Sequence, residues 1–198
     1  MKTKIIFMLT RIIGFMLIAL WNTLPAQAAS LSIVPSSQSV TVGQTVSLDI
    51  QISGVNDLYA FQFDLGFDPT VLLATDITEG AFLPLGGPTL YVGGTIDNTA
   101  GTISSTGDVL NGAVSGVSGT GILATVNFTA LASGSSGINL FNPIILLDSN
   151  LADISVDSIQ NSSVTVNPRS TNVPEPSTVI LLGVGLAGLG LNRRKRGS

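Results

Sequence analysis

Three oxygen-bearing side chains stand close together at Asp148, Asn150 and Asp153. Oxygen donors at that spacing in a loop suit a hard cation such as calcium. The pattern is not an EF-hand loop, because its sixth position is Asp153 rather than Gly and its twelfth is Ile159 rather than Glu. The bland account is equally concrete, since Asp and Asn are ordinary turn residues. Catalytic chemistry has less to work with. The chain has no His and no Cys, so neither an imidazole base nor a thiolate nucleophile can form. Serines are plentiful, but none has a basic partner. Carboxylate pairs of the kind glycosidases use could only come from Glu79 and the aspartates. No spacing singles out a pair, and the chain is read as non-catalytic.

Charge is distributed in blocks. Of the 12 acidic residues all but Glu175 lie between Ala29 and Pro168, and none of the 8 Lys and Arg does. Nothing in that stretch can neutralise phosphate, which excludes nucleic acid as a partner. The absence of Cys leaves stability to burial, helped at most by bound cations. The basic residues sit at the two ends. Lys2, Lys4 and Arg11 precede an apolar run from Ile12 to Trp21, and Ala26-Gln27-Ala28 supplies small residues at the cleavage positions. This predicts a secretory signal peptide over 1–28, cut after Ala28.

At the other end, a polar linker over 168–172 leads into three ordered parts. These are Val173-Pro174-Glu175-Pro176-Ser177-Thr178, an uncharged apolar run from Val179 to Leu191, and Arg193-Arg194-Lys195-Arg196. The prolines keep the backbone extended and delay any helix to Ser177. The apolar run can satisfy its backbone in lipid only as a helix, placed over 178–192. The cations hold its end on the cytoplasmic side. From Ser177 to Asn192 such a helix is about 24 Å long against about 30 Å of hydrocarbon, which suits a transient anchor. The trio over 173–198 resembles the PEP-CTERM sorting signal of Gram-negative bacteria. The resemblance implies recognition and cutting by a membrane-embedded exosortase, after an intermediate held in the inner membrane, with delivery to the cell surface or extracellular matrix.

Between these ends the hydrophobic period is two. Val46, Leu48, Ile50 and Ile52 alternate with polar residues, as do Tyr59, Phe61, Phe63, Leu65 and Phe67, predicting half-buried strands. Asp68-Pro69 stops the second. Further strands are expected over 91–96, 102–105, 122–130, 138–140, 144–147 and 163–166, with a hairpin turn over 97–101. Gly107 to Gly121 reads as a long loop or, through Asn111-Gly112, as a small hairpin. No exported segment has a helical period. Short strands with frequent turns predict an all-β sandwich or jelly roll.

The same strands carry a second resemblance. Gly43-Gln44-Thr45-Val46-Ser47-Leu48, Phe63-Asp64-Leu65-Gly66-Phe67-Asp68-Pro69-Thr70-Val71-Leu72, Gly121 to Phe128, Leu147-Asp148-Ser149-Asn150 and Ser163-Val164-Thr165-Val166 follow in the order of a cohesin domain. The similarity implies a jelly-roll β-sandwich of about nine strands over 29–167, of the same shape as certain carbohydrate-binding modules. In cellulosomes such domains bind dockerins. It also implies a partner-binding face made by outward residues of 59–67 and 122–131, namely Ala60, Gln62, Asp64, Leu123 and Thr125. Ala60 and Gln62 stand where cellulosomal cohesins carry Asn and Asp, a departure that weighs against cellulosomal dockerins. The alternative partner is a glycan. Flat glycan platforms use exposed aromatic faces, and Trp21 leaves with the signal peptide. Tyr91, Phe82 and Phe141 are then the candidate surface rings.

Overall fold

The computed structural model describes residues 29–170, which form ten strands: β1 (Ala29–Val34), β2 (Ser37–Thr41), β3 (Thr45–Gly66), β4 (Leu72–Glu79), β5 (Val92–Asp97), β6 (Thr102–Val109), β7 (Val117–Ala130), β8 (Gly134–Asp148), β9 (Val156–Gln160) and β10 (Ser162–Asn167). A single 3-10 turn, Leu83–Gly86, lies between β4 and β5. Among the described residues no helix is long and apolar enough to cross a membrane. The chain divides into two units after Asn167.

The organising element is β3, 22 residues long. Its two halves are the two strands that the alternation predicts, run together through a bend. Gly54 (φ 70°) and Asp57 (φ 59°) take left-handed backbone there, a conformation that Gly adopts freely and Asp tolerates. Before the bend β3 pairs with β1 and β7; beyond it, with β6 and β8. One sheet therefore runs β9-β1-β3-β7-β4 and the other β2-β10-β8-β3-β6-β5, a jelly-roll sandwich with β3 in both layers.

The alternation sends Val46, Leu48, Ile50 and Ile52 inward from one sheet and Phe61, Phe63 and Leu65 from the other, all buried. Each is worth about 1.5–3 kcal/mol of burial before entropy is charged. Phe67 packs edge-on against Phe128 at 5.3 Å, tying the end of β3 to β7 in the facing layer. The hairpin over 97–101 forms where expected. Asp97 Oδ1 accepts the backbone N–H groups of Thr99 and Ala100, and β5 pairs with β6 from Asp97 and Thr102.

Several expectations change: the strands expected over 138–140 and 144–147 are one strand, β8, and β1, β2 and β9 are strands that the period-two reading does not name. The strand predicted over 102–105 continues to Val109, so the connection to β7 spans only 110–116 rather than a loop to Gly121. β4 is a strand that the period-two reading passes over. Leu72, Ala74 and Ile77 face inward, and a register shift between Ala74 and Asp76 breaks their alternation.

Candidate functional site

The outer face of β8-β3-β6-β5 is built by pairing register. β3 turns Ala60, Gln62 and Asp64 away from the core, half-buried among neighbouring strands. Ala60 pairs with Val109 on one side and Leu147 on the other. The Leu90 N–H donates to the Val109 carbonyl at 2.9 Å and extends that row to the sheet edge. The next row runs Val92, Gly107, Gln62, Ile145.

The face is apolar and open. Leu90 is 66% exposed, Val92 56% and Ile145 38%. In their midst Gly107 leaves a dip, and they border a groove of about 470 Å³. A Cβ at Gly107 would stand 2.8 Å from the Phe61 carbonyl oxygen, so the backbone enforces the gap. At the far end of the face, Asp64 Oδ1 accepts the Ser105 N–H at 2.6 Å. That bond supports Ser105 in left-handed backbone (φ 60°) at an irregularity of β6.

Ala60, Gln62 and Asp64 thus share one face, but the structure separates them from Leu123 and Thr125. Both lie on β7, in the other sheet. Leu123 does not point outward; it is 1% exposed. Ile50 pairs with Ala124 while Gln51 pairs with Ile122, so Leu123 is the extra residue of a β-bulge and the alternation slips by one there. Thr125 does face outward, on the other sheet, where its hydroxyl donates to Asp49 Oδ1 at 2.6 Å. The residues missing from the sequence-based face are Leu90, Val92, Val109, Ile145 and Leu147. For Ile145 and Leu147 the signal is the run Ile144-Ile145-Leu146-Leu147, apolar at four consecutive positions where a strand with one wet face would alternate.

The candidate calcium loop is a tight turn after β8. Asp148 Oδ1 accepts the N–H groups of Asn150 and Ala152, each at 2.8 Å, and its own N–H donates to the Ala152 carbonyl. Asn150 and Asp153 are exposed. Among the described residues no group of three or more His, Cys, Asp or Glu could hold a metal ion. Glu79 meets a neighbour that spacing did not indicate. Its carboxylate lies against Asp108 of β6 and accepts the Thr89 hydroxyl. Of the candidate surface rings, Phe82 belongs to the core at 3% exposure and Tyr91 has a buried hydroxyl, leaving Phe141 at 40%.

A family model described as the cohesin domain matches residues 31–166, more than half of the chain. The chain belongs to the cohesin-domain family. The cohesin fold is also seen in solved structures of low identity, a likeness that concerns the fold alone. A non-cellulosomal cohesin from the hyperthermophilic archaeon Archaeoglobus fulgidus has 17% identity and a TM-score of 0.56, over 71% of this chain and 91% of that one. A type I cohesin–dockerin complex from Clostridium thermocellum has 11% identity and a TM-score of 0.58, over 71% and 99%. The seventh ScaB type I cohesin from Pseudobacteroides cellulosolvens has 18% identity and a TM-score of 0.54, over 75% and 98%. Among curated proteins none matches the chain. A second family model, the PEP-CTERM protein-sorting motif, matches residues 172–196 behind the cohesin domain. Val173, Pro174, Glu175, Pro176, Ser177, Arg193, Arg194, Lys195 and Arg196 of that motif, the helix expected over 178–192, and Ala26 and Ala28 of the signal peptide lie outside the described residues.

Proposed function

We propose that this cohesin domain is a non-catalytic protein-binding module, exported and then sorted to the surface of a Gram-negative cell, whose partner docks on the β8-β3-β6-β5 face. The observation that carries the reading is the pair of apolar rows across that face, with Leu90, Val92 and Ile145 open to solvent around the Gly107 dip. Contiguous exposed apolar surface of this kind marks interaction sites. A dip ringed by aliphatic side chains suits an apolar anchor on the partner. Family membership and the dockerin complexes among the solved relatives support a protein as the partner class. The apolar character of the rows, with Ala60 and Gln62 at their centre, favours a partner that contributes apolar rather than cationic anchors. Glycan binding has less support, because Phe82 is buried, Tyr91 is half-buried with its hydroxyl enclosed, and of the candidate rings Phe141 alone is exposed. The sorting motif supports handling by an exosortase after a membrane-held intermediate, and final residence at the surface or in the extracellular matrix.

The test is capture from the secreted fraction of the producing cell, with wild-type protein and the Val92→Asp and Ile145→Asp variants as parallel baits. A protein held by wild type and released by both variants, at unchanged melting temperature, supports the reading. Equal capture by all three baits, or retention on polysaccharide with no protein captured, overturns it.

A further inference from the structure

At the open edge between β4 of one sheet and β5 and β6 of the other, buried Asp108 meets the exposed acids Glu79 and Asp76 of β4. Asp108 pairs with Phe61 and Thr106 with Phe63, so both of these β6 side chains point to the core side, 4% and 0% exposed. Asp108 Oδ1 accepts the Val109 N–H at 2.9 Å, while its Oδ2 is buried without a donor. From β4, Glu79 lies side chain to side chain against Asp108 and accepts the Thr89 hydroxyl through Oε1. The Tyr91 hydroxyl, also buried and unpartnered, lies near Asp108, Asp76 and Glu79.

No cation of the domain can relieve this cluster, because the sequence has no Lys, Arg or His between Ala29 and Pro168. Two ionised carboxylates in contact repel, and a buried one without donors is costly. One proton on Asp108 Oδ2 removes both problems. It turns the contact into an O–H···O⁻ hydrogen bond to Glu79 and partners the orphaned oxygen. Burial, and then the neighbouring Glu79, push the Asp108 carboxyl up to about 7. Burial first, then the acids, raise the Tyr91 hydroxyl to about 12, so it stays a neutral donor beside them.

We propose that Glu79 and Asp108 share one proton, and that this acid–carboxylate clasp fastens β4 to the Thr89–Val92 segment and releases it as pH rises. Thr89 is held by Glu79, Tyr91 packs beside the pair, and Leu90 and Val92 form one wall of the apolar groove. The consequence for partner binding rests on the docking face proposed above; the clasp itself does not.

Folded protein with a raised Asp108 binds more protons than the unfolded chain between the two pKa values. The stability it supplies is full below about pH 4 and is lost as pH rises through about 7. Asp57, Asp68 and Asp97 are all held below the usual carboxylate range by hydrogen bonds and are fully ionised throughout that upper range.

The experiment is thermal melting of the full chain in detergent from pH 5 to pH 8, with hydrogen exchange at the Leu90 amide corrected for its intrinsic rate. Wild type should lose several degrees across that range, and Leu90 protection should fall about tenfold. Asp108→Asn, which keeps a donor to Glu79 but cannot titrate, should show neither change. Glu79→Gln, the second variant should the first fail to fold, should also flatten both. Wild-type melting that is constant from pH 5 to pH 8 overturns the clasp, as does an undiminished slope in both variants. A rise in melting temperature with added calcium at constant pH, abolished by Asp108→Asn, would assign the pair to a hard cation and overturn the shared proton. None of these readouts uses a docking partner, so failure of the docking face leaves them intact.

Discussion

Asp57 and Ser149 are joined twice: one carboxylate oxygen of Asp57 accepts the Ser149 hydroxyl at 2.6 Å and the Ser149 N–H at 3.2 Å. The other oxygen accepts the Gly116 N–H at 2.6 Å. The bend that carries β3 between layers is thereby tied to the turn after β8 and to the entry of β7. Gly116 has no alternative residue, since a Cβ there would fall 2.4 Å from the Asp57 carbonyl oxygen. The Ser149 hydroxyl first, and then the Gly116 and Ser149 amides, hold the Asp57 carboxyl below its ordinary range despite some burial. Its stabilisation is present above the ordinary value near 4 and is lost as pH falls below it. Asp57→Ala should cost about 2 kcal/mol at pH 7, the scale of lost charged hydrogen bonds, and less at pH 3. Denaturant melts at the two pH values give the difference.

Much of this fold is written in the period-two rows, because a sandwich buries alternate residues and the pattern is local. Both halves of β3 are legible for that reason, but their fusion is not, since the bend depends on bonds from Asp57 to residues about 60 and 90 positions away. β4 and Leu123 were obscured by the same device, an irregularity that shifts the alternation by one. Of the proposed docking face, Ala60, Gln62 and Asp64 follow from the pattern on β3. Leu90, Val92 and Ile145 required knowing which strands lie side by side, which non-local pairing decides.

The reassignment of Leu123 is itself testable. A carboxylate at a fully buried bulge position has no partner, so Leu123→Asp should destabilise by more than about 3 kcal/mol and lower the yield of folded protein. Gln62→Arg lies on the open face and should change stability by no more than about 0.5 kcal/mol. Chemical denaturation of both variants checks the pair. An outward Leu123 would instead leave the two nearly equal.

For the turn after β8, the bonds to Asp148 make a specific claim. Its Oδ1 already holds two backbone N–H groups and supports Leu151 in left-handed backbone (φ 62°). Asp148→Ala should therefore cost about 1–2 kcal/mol, as loss of a local cap does. Asp153→Ala, at an exposed position, should cost little. Chelator should leave the melting temperature unchanged. A fall in chelator, shared by loss in the Asp153→Ala variant, would identify a bound ion, because only a ligand of the native state stabilises it.

The two ends of the chain make the last prediction, and the fold sharpens it. Ala29 opens β1, is buried, and donates its N–H to the Ser155 carbonyl at 3.2 Å. A cut after Ala28 frees the chain at the strand's first residue; a cut two residues later would remove Ser30, which pairs with Ser53, and leave buried Leu31 at a frayed end. Intact mass should therefore show the exported chain starting at Ala29. At the other end, Glu175 stands between two prolines ahead of an apolar run that, as a helix, would be too short for a stable anchor. Glu175→Ala, or removal of Arg193 to Arg196, should leave a chain that starts at Ala29, keeps its tail and accumulates at the membrane. Wild type should lose the tail. Both variants being cut and released like wild type would mean that the tail is a plain anchor trimmed by ordinary proteolysis, and that its proline and arginine clusters carry no address.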